Sequence, residues 1–431
     1  MPAMGMLSSL AARDFRSLWL GSLASSFAMN MQIVARGWLV YDMTSSTVKL
    51  AWVTLSFMLP QVIFAMWGGV LADRLPKRRI IATGQALNFM ATAAMSYVII
   101  IGSVTFWDFL WIGFFNGTVL ALSMPARQAF VPELVGEALV FNAMALNTAS
   151  WNLSRILGPT LAGGIIAVVA AGDKTSAFGV GVVYCIITAL NLVASVTTAR
   201  INQVGRRHRE PTGQSPFADI AEGMRYVWHT PRVRGLILLS LAPFLFGMPI
   251  NTLLPAFSHG VLHGGPDDLG LLLGAMGGGA IIGALMLARV GDVTRKGVWL
   301  IATCIAWGVL MGVFAMTRSL LWAGAVIALI GWLNAWNVAL NRGLLQTIAA
   351  PQMRGRIMSI DQMSQGLMPI GIIPIGYLAE VAGVSIALAV AGGVLVIAAL
   401  VLSRTMTVRS IDAGESSLKR AALQSEPVSG E

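Results

Sequence analysis

The sequence is poor in charged residues, which make up only 11% of its 431 positions, whereas soluble proteins carry roughly 25%. Apolar residues fill 56% of the chain, and its mean hydropathy is +0.75. A membrane-spanning helix needs about 20 mostly apolar residues, so this inventory suffices for about twelve. The composition excludes a soluble domain, a disordered chain and a nucleic-acid-binding module. Long unbroken apolar runs also disfavour an outer-membrane barrel, whose strands alternate apolar and polar residues.

The sequence also lacks the signatures of most catalytic and metal-binding sites. Its two cysteines, Cys185 and Cys304, lie in separate apolar runs without a CxxC spacing, so neither a disulfide framework nor a zinc site is predicted. No HExxH, GxSxG or P-loop motif occurs. We therefore expect no metal, no cofactor, no enzymatic activity and no direct use of ATP.

The apolar runs predict an all-α membrane protein with twelve transmembrane helices in two six-helix pseudo-repeats. The predicted spans are residues 17–41, 50–72, 80–102, 106–124, 140–170, 177–199, 233–257, 269–290, 298–316, 320–341, 357–379 and 384–403. This pattern divides the chain into a six-helix half at 1–199, a cytoplasmic linker at 200–232, a second six-helix half at 233–404 and a flexible tail at 405–431. In the linker, Phe217, Ile220, Met224 and Val227 recur every three or four residues, which predicts an amphipathic helix on the membrane surface.

The basic residues are distributed unevenly between the loops. One set of alternate loops, together with both tails, holds 24 of the 29 Lys and Arg residues, while the opposite loops hold only Lys49, Lys174 and Arg318. Loops rich in Lys and Arg stay in the cytoplasm. We therefore predict a multi-pass membrane protein with both termini cytoplasmic, which for a bacterial chain means the inner membrane.

Two loops at equivalent positions of the two halves are alike. In the first, Asp73 precedes Arg74 and Arg78, and in the second, Asp292 precedes Arg295 and Lys296. A carboxylate at the end of a helix can meet the positive end of a helix dipole from the other half, and the arginines can meet carboxylates or helix ends. The repetition predicts duplicated halves and a cytoplasmic latch that forms when this side is shut. Topology alone would also explain the basic residues.

The residues from Gly69 to Arg79 resemble the signature loop of the major facilitator superfamily, G-x-L-a-D-r-x-G-r-k, with Pro76 where the second glycine is usual. The run Gly158 to Gly164 is similar to the Gly-Pro motif of antiporters in that family. Stretches beginning at Phe15, Gly37, Pro125 and Arg354 look like the branch that includes enterobactin-type siderophore exporters. The resemblance implies export of small amphipathic molecules, siderophore-like or drug-like, by proton antiport, with the halves rocking around a midplane cavity.

Three residues of the fifth span, Gly158, Pro159 and Gly163, suit a helix that moves. Proline removes a backbone hydrogen bond and can kink a helix, and glycine lets another helix approach closely. Plain packing explains the same residues, so the two interpretations remain open.

Two arginines, Arg36 and Arg155, fall inside predicted spans, where a charge is costly and usually faces a cavity or a partner. Gln32 shares a helix face with Arg36, and Asn152 shares one with Arg155. Guanidinium groups match carboxylates and phenolates, so we predict that these four residues bind an anionic or oxygen-rich substrate. Arg36 could instead extend to the membrane interface. A second polar face, which either lines the cavity or joins helices, comprises Asn334, Asn337 and Asn341.

Asp361 is the acid that we place inside a span, about one turn from the cytoplasmic end of the eleventh. A buried carboxylate there could carry the coupling proton, since burial raises the pKa of a carboxyl group towards neutrality. It could equally cap its helix or pair with an arginine.

Other functions remain open at this point. Uptake of a metabolite or movement of a lysophospholipid would use the same fold, and a receptor or scaffold that transports nothing is an alternative of another class. The expected partners are a small-molecule substrate, protons and the lipid bilayer, without nucleic acid, and the protein is predicted to act as a monomer.

Overall fold

The protein, as seen in a computed structural model, is described at residues 7–136, 139–170, 177–204, 216–290, 295–350, 353, 356–358, 360–361 and 367–405. Side chains are described there except at 65, 66, 73, 141, 216–220, 369 and 405. This part of the chain is almost entirely helical. Its helices are α1 Arg13–Thr44, α2 Thr47–Arg74, α3 Lys77–Ile100, α4 Phe106–Val135, α5 Val140–Val169, α6 Ala177–Ala199, α7 Pro216–His229, α8 Pro231–Ala242, α9 Pro249–Gly260, α10 Pro266–Val290, α11 Lys296–Met316, α12 Leu320–Ile348, α13 Met368–Ala382 and α14 Val384–Thr405.

Nine helical segments of the described residues are long and apolar enough to cross a membrane. One of them, Pro231–Gly260, joins α8 and α9 through a π-helical turn at Pro243–Gly247. The apolar stretch of α13 is shorter, and α1 and α3 have the length but not the hydropathy, because they carry polar side chains such as Gln32, Arg36 and Gln85. The all-α membrane fold is confirmed, while the count of twelve spans stays a prediction.

The helices pack in two groups. In the group that we call the first half, α1–α6, helix α2 packs on α4, α3 on α6, and α1 on α5 and α6. In the second half, α8–α14, α10 packs on α12, and α11 packs on α12 and α14. Successive spans run in opposite directions, so the loops alternate between two ends of the molecule. We call the end where α1 begins and α14 finishes the tail end, and the opposite one the far end.

Helix α7 lies against the second half. The backbone N–H of Ala350 donates to the Tyr226 hydroxyl at 3.3 Å, and Arg356 pairs with Glu222 at 2.8 Å. On the opposite face, the Trp228 side chain is 67% exposed. A helix is therefore present where the amphipathic one is predicted, and its place on the membrane surface stays a prediction.

Two helices continue beyond their predicted ends. Helix α4 is predicted to end at residue 124 but continues to Val135, where Gly136, with a φ of 71°, stops it. Helix α12 is predicted to end at residue 341 but continues to Ile348. Hydropathy marks the hydrocarbon core, whereas a helix ends only where its backbone is interrupted. Arg127 and Arg342, predicted in loops, therefore lie inside helices.

Candidate functional site

The two halves meet closely between α5 and α10 at the far end. The Thr160 hydroxyl donates to the Gly270 carbonyl oxygen at 3.3 Å. A Cβ added to Gly270 would lie 2.6 Å from the carbonyl oxygen of Pro159, and one added to Gly163 would overlap the carbonyl of Pro266. Only glycine therefore permits this approach of the two backbones. We call this contact, between residues 155–163 and 266–277, the glycine seam.

The same two helices separate toward the tail end. Residues that continue the contact face of α5, Ala145 and Thr148, are exposed, as are Leu285 and Ala288 on the corresponding face of α10. Residues on one helix face recur every three or four positions, so these side chains would be covered if the two helices stayed in contact along their length. Between α5 and α10 the molecule is thus closed at the far end and open at the tail end.

A second contact between the halves joins the start of α2 to the end of α13. The Ser46 hydroxyl and the Val48 backbone N–H, the latter at 3.0 Å, donate to one oxygen of Glu380. The Thr47 hydroxyl donates to the Gly376 carbonyl at 2.7 Å. The Glu380 carboxylate thus caps a helix of the opposite half, where the helix dipole is positive. Sequence analysis did not identify Glu380. The one feature that could have done so is that Glu380 is an acidic residue beside a loop that has few charges.

Aromatic side chains complete the closed far end. The His259 ring lies 5.7 Å from that of Trp38 and 5.6 Å from that of Tyr41, measured between ring centroids. A Cβ on Gly37 would lie 3.0 Å from the Pro255 side chain. His259 of α9 thus lies between the two halves.

The glycines predicted to act in gating differ in their surroundings. Gly163 lies in the glycine seam, whereas a Cβ on Gly158 would lie 2.8 Å from Asn30 of α1, in the same half. A Cβ on Gly69 would meet nothing within 4 Å, and it is the adjacent Gly68 that faces the backbone of α4 at Ala121. Of the three predicted glycines, Gly163 is therefore the one that packs tightly against the opposite half. Gly270 does so too, although the sequence analysis did not predict it.

A polar cluster in the first half joins α1, α4 and α6. The Asn116 amide nitrogen donates to the Gln32 Oε1 atom at 3.3 Å, and the Arg36 guanidinium lies 5.5 Å from the centre of the Phe57 ring. Tyr184, which is fully buried, interacts electrostatically with Arg36 and faces the Gln32 side chain. The structure thus brings together the predicted Gln32 and Arg36 and adds Asn116 and Tyr184. In the sequence, Asn116 and Tyr184 are polar residues within the apolar runs of α4 and α6, and this pattern could have identified them.

Arg155 lies halfway along α5, close to the glycine seam. It is half-buried, as is Asn152, and a Cβ on Gly277 of α10 would lie 3.4 Å from the Arg155 carbonyl oxygen. Binding of one substrate by both Arg155 and Arg36 stays a prediction.

The second half contains a paired charge. Asp361, only 2% exposed, accepts a hydrogen bond from the Ser240 hydroxyl at 2.7 Å and one from the Arg342 Nε atom at 3.4 Å. These residues line a small cavity together with Asn341. Of the roles considered for Asp361, pairing with an arginine is the one that its contacts display.

The three predicted asparagines of α12 have different partners. The Asn337 amide donates to the Thr303 hydroxyl at 3.2 Å and to Cys304 Sγ at 3.0 Å, so it joins α12 to α11. Asn334 is half-buried, with its amide 3.9 Å from the Met248 sulfur. The buried Asn341 has an amide oxygen without a partner among the described residues. Asn337 and Asn341 both line the small cavity beside Asp361, whereas Asn334 is not among its lining residues.

The charges of the first repeat loop lie at the tail end. Arg78 donates to the Ala199 carbonyl at 2.8 Å, at the negative end of α6 in its own half. Arg74 is exposed, and Lys77 is buried against Glu133 at 2.8 Å. The Asp73 side chain and all of Asp292 lie outside the described residues. A latch between the halves therefore stays a prediction.

The chain matches the family described as transmembrane secretion effector over residues 4–429. It belongs to that family, within the major facilitator superfamily. The multidrug efflux pump Tap of Mycolicibacterium fortuitum is 26% identical over 369 residues, covering 84% of this chain and 88% of that protein. The staphyloferrin A transporter of Staphylococcus aureus is 24% identical, with 85% and 88% covered. The enterobactin exporter EntS of Salmonella typhi is 27% identical, with 80% of each chain covered.

Solved structures share the fold. The nucleoside transporter NupG superposes with a TM-score of 0.70 at 13% identity, covering 91% of this chain and 98% of that one. A bacterial homologue of the human lysosomal transporter Spinster gives 0.68 at 13%, covering 95% and 98%. The protein is thus a membrane transporter with efflux pumps among its relatives, and not an enzyme. A small-molecule substrate, the lipid bilayer and the bacterial inner membrane follow from this membership.

Proposed function

We propose that this transporter exports small amphipathic molecules, siderophore-like or drug-like, in exchange for protons and by alternating access. The observation that carries the proposal is the asymmetry of the glycine seam, closed at the far end and open at the tail end. A transporter that alternates must have a state in which only one end is open. Relatives named as drug efflux pumps and siderophore exporters support the direction and the class of substrate.

The side of the membrane to which the molecule is open depends on how the chain is oriented. Since the loops at the tail end carry most of the Lys and Arg residues, we infer from the positive-inside rule that this end and both termini are cytoplasmic. The opening then faces the cytoplasm, where an exporter collects its substrate. Both halves belong to one chain, so alternating access needs no second copy, and we infer that the protein acts as a monomer.

Rocking of the halves would reverse the asymmetry. The glycine seam and the Glu380 contact would separate as the tail end closes, and Pro159 within the seam gives α5 a point at which to bend. In the sequence, Asp73, Arg74, Arg78 and Asp292 stand at or just after the ends of α2 and α10. We infer that they form the latch of the outward-facing state.

Asp361 is our candidate for the coupling proton. Its carboxylate is shielded from water, so its charge depends on Ser240 and on Arg342, the latter being 39% exposed. Protonation would remove the negative charge that pairs with Arg342. Antiport requires that substrate binding and proton binding compete, so we infer that the substrate binds while Asp361 is ionised and paired with Arg342, and leaves when it is protonated.

The proposal is tested with inside-out vesicles that contain the protein and have an acidic interior. Salicylate and ethidium are added separately, and proton release is followed relative to vesicles without the protein. Export predicts release together with accumulation of a labelled compound in the vesicle. Accumulation without proton release would contradict antiport, and no accumulation of either compound would contradict export of this class of molecule.

A further inference from the structure

We propose that Gln32, Arg36, Asn116 and Tyr184 form a binding site for an anionic oxygen that has a hydroxyl group beside it, as in a hydroxy-carboxylate or a catecholate. We call this site the oxyanion pocket. The inference rests on the proposed function, because it names the chemistry of the exported molecule, and it adds Asn116 and Tyr184 to the residues that contact it.

The pocket lies deep in the first half, beneath the closed far end. Arg36 is eight residues before the end of α1, which corresponds to about 12 Å along the helix. Asn116 and Tyr184 lie about 15 Å and 11 Å from the far ends of α4 and α6. Gln32, one turn before Arg36, lies about 18 Å from the same end, so the four residues lie between about 11 and 18 Å from the far ends of their helices. Gln32 and Arg36 keep partial exposure, as a site that a molecule must reach requires.

The amide oxygen of Asn116 is buried without a hydrogen-bond partner among the described residues. The Gln32 amide and the Tyr184 hydroxyl face each other closely enough to interact, and each retains a hydrogen atom that it can donate elsewhere. Buried polar groups are almost always paired, because each gives up its bonds to water on burial. An unpartnered oxygen and two unused donors around one cation therefore indicate a place for polar atoms of another molecule.

The positive charge of Arg36 favours a negatively charged ligand. Arg36 makes no ion pair with any described acid, and its neighbours Gln32, Asn116 and Tyr184 are uncharged. A guanidinium inside a membrane protein is stabilised by an anion or by water in a cavity. By contrast, Arg342 already has Asp361. The pocket is thus prepared for a negative group that the protein does not supply.

The free atoms also indicate the neighbouring group of the ligand. Arg36, the Gln32 nitrogen and the Tyr184 hydroxyl can donate, which suits the oxygens of a carboxylate or phenolate. The Asn116 oxygen can only accept, so it needs a donor such as a ligand hydroxyl beside the anion. The Phe57 ring next to Arg36 provides an apolar face for an aromatic or aliphatic body. An anion without such a donor would leave the Asn116 oxygen unpaired.

The test measures binding to the purified full-length protein with three labelled probes. Salicylate carries both groups, salicylamide lacks the charge, and 2-methoxybenzoate lacks the hydroxyl donor. Wild-type protein should bind salicylate most tightly. Arg36→Gln should weaken salicylate binding about 10- to 100-fold, the effect of losing a charged hydrogen bond, without a comparable change for salicylamide. Asn116→Ala should weaken salicylate several-fold and leave 2-methoxybenzoate unchanged.

Two variants guard against structural artefacts. Tyr184→Phe removes only a hydroxyl, so it should fold normally and still weaken both carboxylates. Arg127→Gln removes a different membrane-embedded arginine, one that bonds Ser22 at 3.2 Å near the tail end, and it should change no probe. Equal affinity of the wild type for all three probes, no salicylate binding, or an equal loss of all probes in Arg36→Gln would overturn the pocket.

Binding and transport are measured separately, so their failures can be told apart. If the probe pattern holds but vesicles show no transport, the export proposal is wrong and the pocket stands. If vesicles export salicylate with protons but Arg36→Gln and Tyr184→Phe bind all three probes like the wild type, the pocket is wrong and the export proposal stands.

Discussion

In the first half of the transporter, Arg36 lies among Gln32, Asn116 and Tyr184, and no described acid pairs with it. In the second half, Arg342 lies beside the buried Asp361, whose other oxygen bonds Ser240. One half thus has a cation without a described counter-ion, and the other has a cation paired with a buried carboxylate. On our proposals, this difference divides two tasks between the halves, substrate binding in the first and proton binding in the second.

The largest effect is expected from Asp361→Asn, which keeps the shape of the side chain but removes the proton site. Proton release from inside-out vesicles should fall to the level of vesicles without protein, because no carboxylate remains to exchange a proton. The matched control is Glu222→Gln, an acid that also pairs with an arginine but lies on α7. Normal proton release in Asp361→Asn would contradict the proposal that the second half carries the coupling proton.

The next largest effect is a difference in protein stability between two variants, Arg342→Gln in the second half and Arg36→Gln in the first. Arg342→Gln leaves Asp361 buried without its cation and should lower the free energy of unfolding by about 2–3 kcal/mol, moderated by the partial exposure of Arg342. Arg36→Gln removes a charge that has no described counter-ion, so it should cost little or even stabilise the protein. Thermal unfolding of the purified proteins tests this, and equal shifts would contradict the comparison.

Substitution in the glycine seam tests whether the halves must close together for either task. Gly163→Ala places a Cβ against the Pro266 carbonyl, so it should disfavour the closed far end and reduce transport about tenfold, equivalent to about 1.4 kcal/mol. Gly164→Ala adds the same methyl group where nothing lies within 4 Å and should leave transport unchanged. Similar transport in both variants would show that the seam is ordinary packing.

The smallest effect is expected from Gln32→Glu, which replaces one amide with a carboxylate. The introduced carboxylate would lie one helical turn before Arg36 on the same helix face, a favourable arrangement worth about 0.5 kcal/mol, so the first half would acquire a paired charge like the second. Protein stability should stay the same or rise slightly, while salicylate binding should weaken several-fold. Unchanged salicylate binding would mean that Arg36 does not hold the anion.

Particular residues show how far the sequence could lead. Hydropathy located α6 at Ala177–Ala199 and the start of α4 at Phe106, because apolar runs depend on local composition. It could not reveal that Arg342 lies inside α12 and meets Asp361, since the two residues are brought together by the packing of two helices. The same holds for Asn116 and Tyr184, which lie far from Gln32 in the chain.

The sequence by itself determined that this chain forms membrane helices, how its basic residues are distributed between the loops, and that it belongs to the major facilitator superfamily, because composition and motifs are properties of the chain alone. Only the tertiary structure decided which charges are paired, which polar atoms lack a partner, and which glycines face the opposite half. Those features depend on how each helix is rotated and placed against its neighbours, and side chains distant in sequence acquire a common environment only after packing.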